Sequence, residues 1–230
     1  MKKGICHVSQ IPVRGKPQSS SEMVTQLLFG ETYTILKDEK DWCYIKMDFD
    51  GYEGWLSKSS IFINSAYSSA RNIQLSLMSE PINDLYPQPL CSSMGSEIIS
   101  TDYKKKQLSV VGIAKQFLGV PYLWGGRHFS GIDCSGFVQI VYKCLNLPLP
   151  RDASMQQKRG KPIGFDHRFE GDLVFFESDG KVTHVGIIVE GSQVIHAHGM
   201  VRLDTLTKEG IINAETGEQS HSYHSIKRMR

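Results

Sequence analysis

The residue best suited to nucleophilic chemistry in this sequence is a cysteine at the start of a predicted helix. Cys134 lies in SGIDCSG, where a glycine-containing loop leads into an amphipathic segment. The first N–H groups of a helix lack internal acceptors and the helix dipole is positive there. We therefore expect this position to stabilise a thiolate, with Asp133 as the helix cap. A buried structural cysteine is the alternative, and it is our interpretation of the other four: Cys6, Cys43, Cys91 and Cys144.

Histidines in two predicted strands can supply the base that a cysteine nucleophile needs. His184 lies in VTHVGIIV, and His196 and His198 lie in VIHAHG. Residues of equal parity share one face of a strand, so a three-residue turn at 190–192 would place His184 opposite His198 and diagonal to His196. This inference depends on the strand register.

A zinc site made of one cysteine and these histidines is the competing interpretation. Structural zinc sites usually take a close pair of ligands from one turn. The only close pair among these residues is His196 and His198, and it lies in a predicted strand. We therefore expect no metal and no cofactor.

Helices followed by strands must position these residues. LSVVGIAKQFLGVPY has apolar residues at helical spacing until Gly119 and Pro121, and CSGFVQIVYKCLN continues a second helical stripe. DLVFFE, THVGIIVE and QVIHAHG have the pattern of adjacent antiparallel strands. The order predicts an α+β domain over residues 108–230.

The remaining segments are less regular. Short apolar runs separated by polar turns predict a small all-β barrel or sandwich over residues 1–64. Residues 65–107 carry prolines, polar stretches and a charge run, and we interpret them as a linker. The basic, histidine-containing end HSYHSIKRMR is expected to be solvated or an edge strand.

The composition excludes several classes of protein. The 230 residues include 26 Lys and Arg against 24 Asp and Glu, a net charge of +2 that argues against a nucleic-acid-coating protein. No apolar run approaches the roughly 20 residues of a membrane helix. Lys2 and Lys3 are not followed by the apolar run of a signal peptide. We expect a cytoplasmic monomer with no membrane or nucleic-acid partner and no disulfide framework.

Six motifs in a fixed order carry a family resemblance. PYLWGG, DCSGFV, LPR, GDLVFF, THVGIIV and VIHAHG resemble the NlpC-type cysteine peptidases, a papain-like superfamily that acts on bacterial cell-wall peptides. The resemblance implies that Cys134 is the nucleophile, His184 the base and His196 the residue that orients the base. It also implies that the Tyr122 hydroxyl lies near the nucleophile and helps to hold the oxyanion or substrate; a packing aromatic is the alternative.

The N-terminal residues resemble the bacterial SH3-like module found beside cell-wall enzymes, most clearly at their GYEGWL ending. A small β domain with no binding role is the alternative. The combination of domains resembles enzymes of murein peptide recycling, which cut the γ-D-glutamyl bond to lysine or diaminopimelate in free stem peptides. Such enzymes need a free N-terminal L-Ala.

The resemblance also nominates residues for substrate binding. An ammonium in a partly closed pocket needs carboxylate partners, and Asp133 beside the nucleophile fits that role. The other candidates are Ser135, Trp124, Ser154, Glu22 and Tyr52. Two alternative functions stay open: an exported hydrolase that acts on intact peptidoglycan, and a wall-binding protein with an inert peptidase domain.

Overall fold

The computed structural model describes residues 2–63, 72–79, 90–98 and 109–229. The chain divides into two compact units. Unit 1 comprises Met1–Lys106 and Trp124–Phe129, and unit 2 comprises Gln107–Leu123 and Ser130–Arg230.

Unit 1 begins with six strands. These are β1 (Lys3–Ile5), β2 (Gln10–Arg14), β3 (Met23–Leu28), β4 (Thr32–Asp38), β5 (Trp42–Met47) and β6 (Glu53–Ser57). They form one antiparallel sheet in the order β1-β4-β5-β6-β2-β3. Buried and exposed residues alternate along the strands, as at Ile11 and Val13 of β2, because side chains alternate between the two faces of a sheet. The predicted all-β region is confirmed.

The buried faces of these strands share one apolar core. Its members include Cys6, Ile11, Val13, Leu27, Tyr33, Ile35, Cys43, Ile45, Met47 and Leu56. Two of the cysteines interpreted as structural therefore lie in this core.

The described part of the predicted linker is folded into unit 1. It contains β7 (Asn72–Ile73), β8 (Met78–Ser79), β9 (Ser92–Ser93) and β10 (Glu97–Ile98), with β7 paired to β10 and β8 to β9. The backbone N–H of Glu97 donates to the carbonyl of Phe29 at 2.8 Å. At Gly30 (φ 83°) a Cβ would lie 1.9 Å from the Glu97 carbonyl oxygen, so only glycine allows this close approach. The described residues of the predicted linker are therefore part of unit 1 rather than a connecting segment, because these backbone contacts attach them to it. Residues 64–71, 80–89 and 99–108 lie outside the described residues.

A short piece of the PYLWGG region also belongs to unit 1. It includes β11 (Arg127–His128), and it is held by a fully buried ion pair. The two terminal nitrogens of Arg127 donate to the two carboxylate oxygens of Glu31 at 2.8 and 2.9 Å. Gln26 accepts from the backbone N–H and the guanidinium of Arg127, both at 2.7 Å. A buried guanidinium needs hydrogen-bond acceptors, and those that Glu31 and Gln26 provide to its terminal nitrogens explain why this segment packs with the strands of unit 1.

Unit 2 opens with the two predicted helices. They are α1 (Val110–Ala114), which continues as a 3-10 turn over Lys115–Phe117, and α2 (Cys134–Lys143). A short helix that the sequence did not predict, α3 (Ala153–Gln156), follows them. A short strand, β12 (Gly131–Ile132), precedes α2. All ten residues of α2 are buried. Its polar members are accommodated by hydrogen bonds such as that from Gln139 to the Leu149 carbonyl (3.0 Å).

Seven strands complete unit 2. These are β13 (Lys161–Ile163), β14 (Leu173–Ser178), β15 (Lys181–Ile188), β16 (Gln193–His198), β17 (Met200–Leu206), β18 (Gly210–Ile212) and β19 (Gln219–Arg228). They follow the order β13-β19-β14-β15-β16-β17-β18, and β18 also pairs with β19. The strands from β19 to β18 therefore close into a ring. The predicted succession of helices and then strands is confirmed.

The C-terminal segment differs from its prediction. It forms β19, which lies inside the sheet between β13 and β14 rather than at an edge. Ile226 and Tyr223 contribute to the apolar cluster of this sheet, and this burial is the reason that the segment is not solvated. Within the described residues, we find no helix with both the length and the apolar character to cross a membrane.

Candidate active site

The predicted nucleophile lies at the first position of α2. Asp133 precedes it as the helix cap, and its carboxylate accepts from the backbone N–H of Gly136 at 2.7 Å. The predicted cap is thereby confirmed. Helix α2 packs against β15, the strand that carries His184. The Cys134 thiol itself is hydrogen-bonded to the backbone of Val185, the residue after His184. The local fold therefore brings the thiol to the strand of the predicted base.

The thiol is not a resting thiolate. Burial, and then the charge of Asp133, raise the pKa of Cys134 to about 12, although backbone hydrogen bonds from Val185 and Ser135 and the charge of Arg151 act in the opposite direction. The helix start acts on the thiol in the expected direction, through the backbone N–H of Ser135, but burial raises the pKa by more than the helix start lowers it. The nucleophile must lose its proton to a base as it reacts.

The two strand histidines are joined by a hydrogen bond. Nε2 of His184 and Nδ1 of His196 lie 2.8 Å apart. The strands β15 and β16 pair Gly186 with His196, and the chain turns through 190–192, as the sequence predicts. His184 and His196 are 5% and 0% exposed, so water does not compete for the bond between them.

A carboxylate continues this line of polar groups. Nε2 of His196 lies 3.0 Å from Oδ2 of Asp204, on the neighbouring strand β17. Burial alone would raise the pKa of Asp204, but hydrogen bonds from His196 and from the Ala214 backbone hold its pKa at about 2. Asp204 is therefore ionised at neutral pH.

Both imidazoles are neutral at neutral pH. Burial, followed by the neighbouring histidines, lowers the pKa of His184 well below its ordinary value. Burial also lowers the pKa of His196, despite the opposite effect of Asp204. A neutral imidazole accepts through one ring nitrogen and donates through the other. The site thus pairs a neutral thiol with a neutral base.

A third imidazole completes a possible ligand set for a metal. Nitrogens of His184, His196 and His221 all lie within 4.8 Å of one another. A tetrahedral zinc site needs in-plane lone pairs that converge on one point about 2.0–2.1 Å from each nitrogen. The rings of His184 and His221 are instead stacked, with centroids 4.0 Å apart and an interplanar angle of 21°. The two ring planes are nearly parallel, so the lone pairs that lie in them cannot converge on one ion. This arrangement therefore does not fit a zinc ion.

Tyr122 lies in electrostatic range of the nucleophile. Burial, and then the charges of Cys134 and Asp133, raise the pKa of its phenol to about 12. A bridge between Tyr122 and Ile132 of β12 fixes its backbone beside the loop that leads into α2. The phenol stays protonated and keeps an O–H donor.

The other polar residues near the helix start form a buried cluster. Arg151 pairs with the Asp133 carboxylate and also donates to the Ser135 hydroxyl at 2.8 Å. Asp133 is 6% exposed, and its charge is thus matched by a guanidinium as well as by the helix start. Ser154 lies on α3 and is exposed.

The candidates from unit 1 are brought together in part. The indole N–H of Trp124 donates to Oε1 of Glu22 at 2.7 Å, and the Trp124 side chain is 62% exposed. Tyr52 packs against the apolar core of the unit. Glu22 and Trp124 therefore form one polar feature, whereas Tyr52 has a packing role.

Three residues of the site were missed at the level of sequence. Asp204, Arg151 and His221 each contact a predicted site residue. A signal for Asp204 was present, because His196 pairs with Arg202 across the turn at Gly199 and residues 202 and 204 share a face. His221 gave no such signal, because its segment was expected to be solvated or at a sheet edge, whereas it lies inside the sheet beside β14.

A nucleophilic thiol with an imidazole base held by a further polar chain defines the class, which is that of the cysteine peptidases. Residues 119–219 match the model of the NlpC/P60 family. Residues 13–61 match the bacterial dipeptidyl-peptidase SH3 domain. The chain is therefore a cysteine peptidase with an NlpC/P60 domain preceded by a bacterial SH3 domain.

Curated relatives and a solved structure agree with this assignment. The chain is 24% identical to a γ-D-glutamyl-L-lysine dipeptidyl-peptidase of Bacillus cereus, over 88% of this chain and 76% of the relative. It is 29% identical to the Bacillus subtilis protein of the same name, over 75% and 71%. A crystal structure of an NlpC/P60 family protein from Bacillus cereus superimposes with a TM-score of 0.84 at 20% identity, covering 99% of both chains. This last likeness shows the fold.

Proposed function

We propose that the chain hydrolyses the γ-D-glutamyl bond to lysine or diaminopimelate in free murein stem peptides that begin with L-Ala. The observation that carries the proposal is the thiol of Cys134 packed on the strand of His184, whose ring is held by His196. The proposal includes a papain-like arrangement, a role in cell-wall peptide recycling and a cytoplasmic location.

The reaction follows from the protonation states of these groups. His184 uses Nε2 toward His196, so Nδ1 is the nitrogen that takes the proton from the Cys134 thiol. The sulfur attacks the γ-carbonyl carbon, and the amine of the diamino acid leaves with the proton that His184 returns. Water then attacks the thioester and gives one proton to His184. The C–S bond breaks, His184 returns that proton to the leaving sulfur of Cys134, and the dipeptide acid is released.

Donors for the oxyanion lie at the start of α2. The backbone N–H of Cys134 is at the first helical position, where helix geometry provides no acceptor within the helix. The protonated phenol of Tyr122 is the second donor that we assign. Two such donors stabilise the charge that develops on the carbonyl oxygen in the transition state.

The substrate assignment rests on the names of the two Bacillus relatives. The ammonium of an N-terminal L-Ala needs a carboxylate partner. Asp133 is the carboxylate beside the nucleophile in unit 2, and it also pairs with Arg151. In unit 1, one oxygen of Glu22 accepts from the indole N–H of Trp124, and we keep these two residues as candidates for substrate binding.

The test compares four substrates by mass spectrometry of the products. They are L-Ala-γ-D-Glu-L-Lys, its meso-diaminopimelate analogue, the N-acetylated tripeptide and intact sacculi. We expect L-Ala-D-Glu from the free tripeptides and a loss of cleavage on acetylation, because acetylation removes the ammonium charge that a carboxylate pairs with. Cleavage of sacculi with indifference to acetylation would instead support the exported hydrolase.

Two cysteine variants serve as controls for the chemistry. Cys134→Ala should abolish cleavage while the fold persists, and Cys91→Ser, at an exposed cysteine, should retain it. Full activity in Cys134→Ala would refute the peptidase mechanism. Inactivity of the wild-type chain on all four substrates would refute the substrate assignment.

A further inference from the structure

We infer that Asp204 is a positioning residue of this peptidase, and that it sets which ring nitrogen carries the proton in both His196 and His184. The inference deepens the proposed function, since it concerns the same site. Neither the family match nor the names of the relatives assign a role to this carboxylate.

The geometry fixes a direction along the chain of hydrogen bonds. An ionised carboxylate only accepts, so Nε2 of His196 must donate its proton to Oδ2 of Asp204 (3.0 Å). Nδ1 of the same neutral ring is then an acceptor, and Nε2 of His184 must donate to it across 2.8 Å. The remaining nitrogen, Nδ1 of His184, keeps its lone pair. That lone pair is what the thiol proton requires.

The carboxylate is itself held in place. Oδ1 accepts from the backbone N–H of Ala214 at 2.9 Å and from Nε of Arg202 at 3.2 Å. Arg202 is anchored in turn by the side chains of Asn213 (3.1 Å) and Glu215 (3.3 Å). The side chains of Asp204 and His196 are both 0% exposed. Water therefore does not substitute for the carboxylate.

These contacts determine what an amide at position 204 would do. In Asp204→Asn the carbonyl oxygen keeps the hydrogen bond from the backbone N–H of Ala214 at the Oδ1 position. Nε of Arg202 lies near both oxygens, 3.2 Å from Oδ1 and 3.0 Å from Oδ2, so the Ala214 N–H decides the orientation and the NH2 group faces Nε2 of His196. His196 would then accept through Nε2 and donate through Nδ1. His184 would accept through Nε2 and carry its proton on Nδ1, where it blocks transfer from Cys134. The substitution therefore inverts both tautomers, although the side chains of Asp and Asn have nearly the same size and shape.

A charge effect acts in the same direction. When His184 takes the thiol proton it becomes a cation in a buried site, where unpaired charge is costly. The negative charge of Asp204, transmitted through the neutral ring of His196, offsets that cost. Asp204→Asn removes it, so the acid limb of the rate profile should move to lower pH. A residue with only a structural role would not move this limb.

The chain offers a matched control. Asp172 is also a buried carboxylate of unit 2, and both its oxygens accept from Arg228 at 2.7 Å. It takes no part in the hydrogen bonds that join Asp204, His196 and His184. Asp172→Asn therefore removes a buried carboxylate–arginine pair and leaves that chain of hydrogen bonds intact.

The experiment uses the full chain and three readouts. The first is the rate of iodoacetamide alkylation at Cys134 against pH, read by mass spectrometry of the labelled peptide; the second is the kcat and KM for L-Ala-γ-D-Glu-L-Lys. The third is the 15N spectrum of the imidazoles, which reports the tautomer of each ring. Replacement of the carboxylate next to a catalytic imidazole by an amide lowers kcat about 10⁴-fold. With one ring between, we expect about 10²-fold in kcat and in alkylation for Asp204→Asn, with KM little changed.

The outcomes separate this inference from the proposed substrate. In the wild type we expect protons on Nε2 of both His196 and His184, with inversion in Asp204→Asn and wild-type behaviour in Asp172→Asn. A proton on Nδ1 of His196 in the wild type would overturn the inference, even if every variant failed to fold. A folded Asp204→Asn with the wild-type rate and pH profile would also overturn it. If the wild type alkylates and titrates as expected but cleaves none of the peptides, the substrate proposal fails alone.

Discussion

His221 lies flat against the base histidine His184, with ring centroids 4.0 Å apart and an angle of 21° between the rings. His221 is held at Nδ1 by the Ser220 hydroxyl at 2.9 Å and meets the edge of His198 at 4.9 Å. The base is therefore fixed in two ways, through its edge by His196 and through its face by His221.

Removal of the His221 ring, which stacks on His184, should lower kcat by the factor that corresponds to the lost stacking energy. A stacked aromatic pair contributes about 0.5–1.5 kcal/mol beyond its buried area, which corresponds to about 2- to 10-fold. We expect His221→Ala to lose that much in kcat, because His184 gains freedom about its ring torsion. His221→Phe should keep most of the rate, since its ring can also stack. Equal rates in the two variants would contradict this role, and steady-state kinetics on the tripeptide measures both.

Acid should destabilise the fold through its buried neutral histidines. Burial lowers the pKa of both His128 and His221 from 6.5 to about 4. Between these values the unfolded chain binds protons that the folded chain does not, so the free energy of unfolding falls as the pH falls. The slope is at most about 1.4 kcal/mol per pH unit for each such histidine.

Urea denaturation at a series of pH values from 7 to 4 measures this slope. His128→Phe should flatten the curve, because one of the buried histidines with a lowered pKa is removed. A stability that is constant across the range would show that the buried histidines are protonated without penalty.

Loss of one partner of the ion pair between Arg127 and Glu31 should lower the free energy of unfolding strongly, whereas replacement of both partners should lower it little. Both side chains are 0% exposed, and removal of one partner leaves a buried charge uncompensated, at about 3–5 kcal/mol. We expect that loss for Arg127→Met in the free energy of unfolding. The double variant Arg127→Met with Glu31→Gln should recover most of it, because no charge remains and the Gln carbonyl can still accept from the Leu28 N–H.

An exposed ion pair in the same unit provides the comparison. Lys3 and Asp48 lie 3.2 Å apart with side chains 69% and 29% exposed, and exposed pairs contribute about 0–1 kcal/mol. Lys3→Ala should therefore change the stability little. A double variant at 127 and 31 that is no more stable than Arg127→Met would contradict the electrostatic explanation.

Gly125, next to Trp124, should tolerate no side chain. Its φ is 75°, and a Cβ would lie 2.2 Å from the carbonyl oxygen of Met23, which is backbone and cannot rotate away. Gly125→Ala should displace Trp124 from Glu22 and lower the stability of unit 1. Gly119 has a similar φ of 84° with no heavy atom within 4 Å of a Cβ, so Gly119→Ala isolates the backbone strain, about 1–2 kcal/mol. Equal loss of stability in the two variants would mean that the contact with Met23 is unimportant, and thermal unfolding measures both losses.

Local patterns predicted the nucleophile and the two histidines because the determinants are close in sequence. A cap three residues from its donor places Cys134 at a helix start, and one short turn fixes His184 relative to His196. Protonation states depend on burial, which no local pattern encodes, and the upward net shift in the pKa of Cys134 could not be predicted for that reason.

Long-range pairing was the other part that sequence did not reveal. Arg127 and Glu31 are 96 residues apart. From sequence alone, each would be predicted to be an exposed charged residue, because its partner is not known. The position of β19 inside the sheet was missed because its polar side chains, such as His221 and Ser222, resemble those of an exposed tail or an edge strand. They are accommodated inside the sheet because their neighbours on β14 and β18 satisfy the backbone.

The segment Trp124–Phe129 belongs to unit 1, whereas the residues on both sides of it belong to unit 2. No single cut in the chain can therefore release either unit whole. A truncation after residue 106 would strand Glu31 without its counter-ion, and a fragment that starts at 107 would carry an orphaned arginine. Recombination that exchanged the first 106 residues for those of another protein would have to bring along a matching hexapeptide, so the two parts must be inherited together.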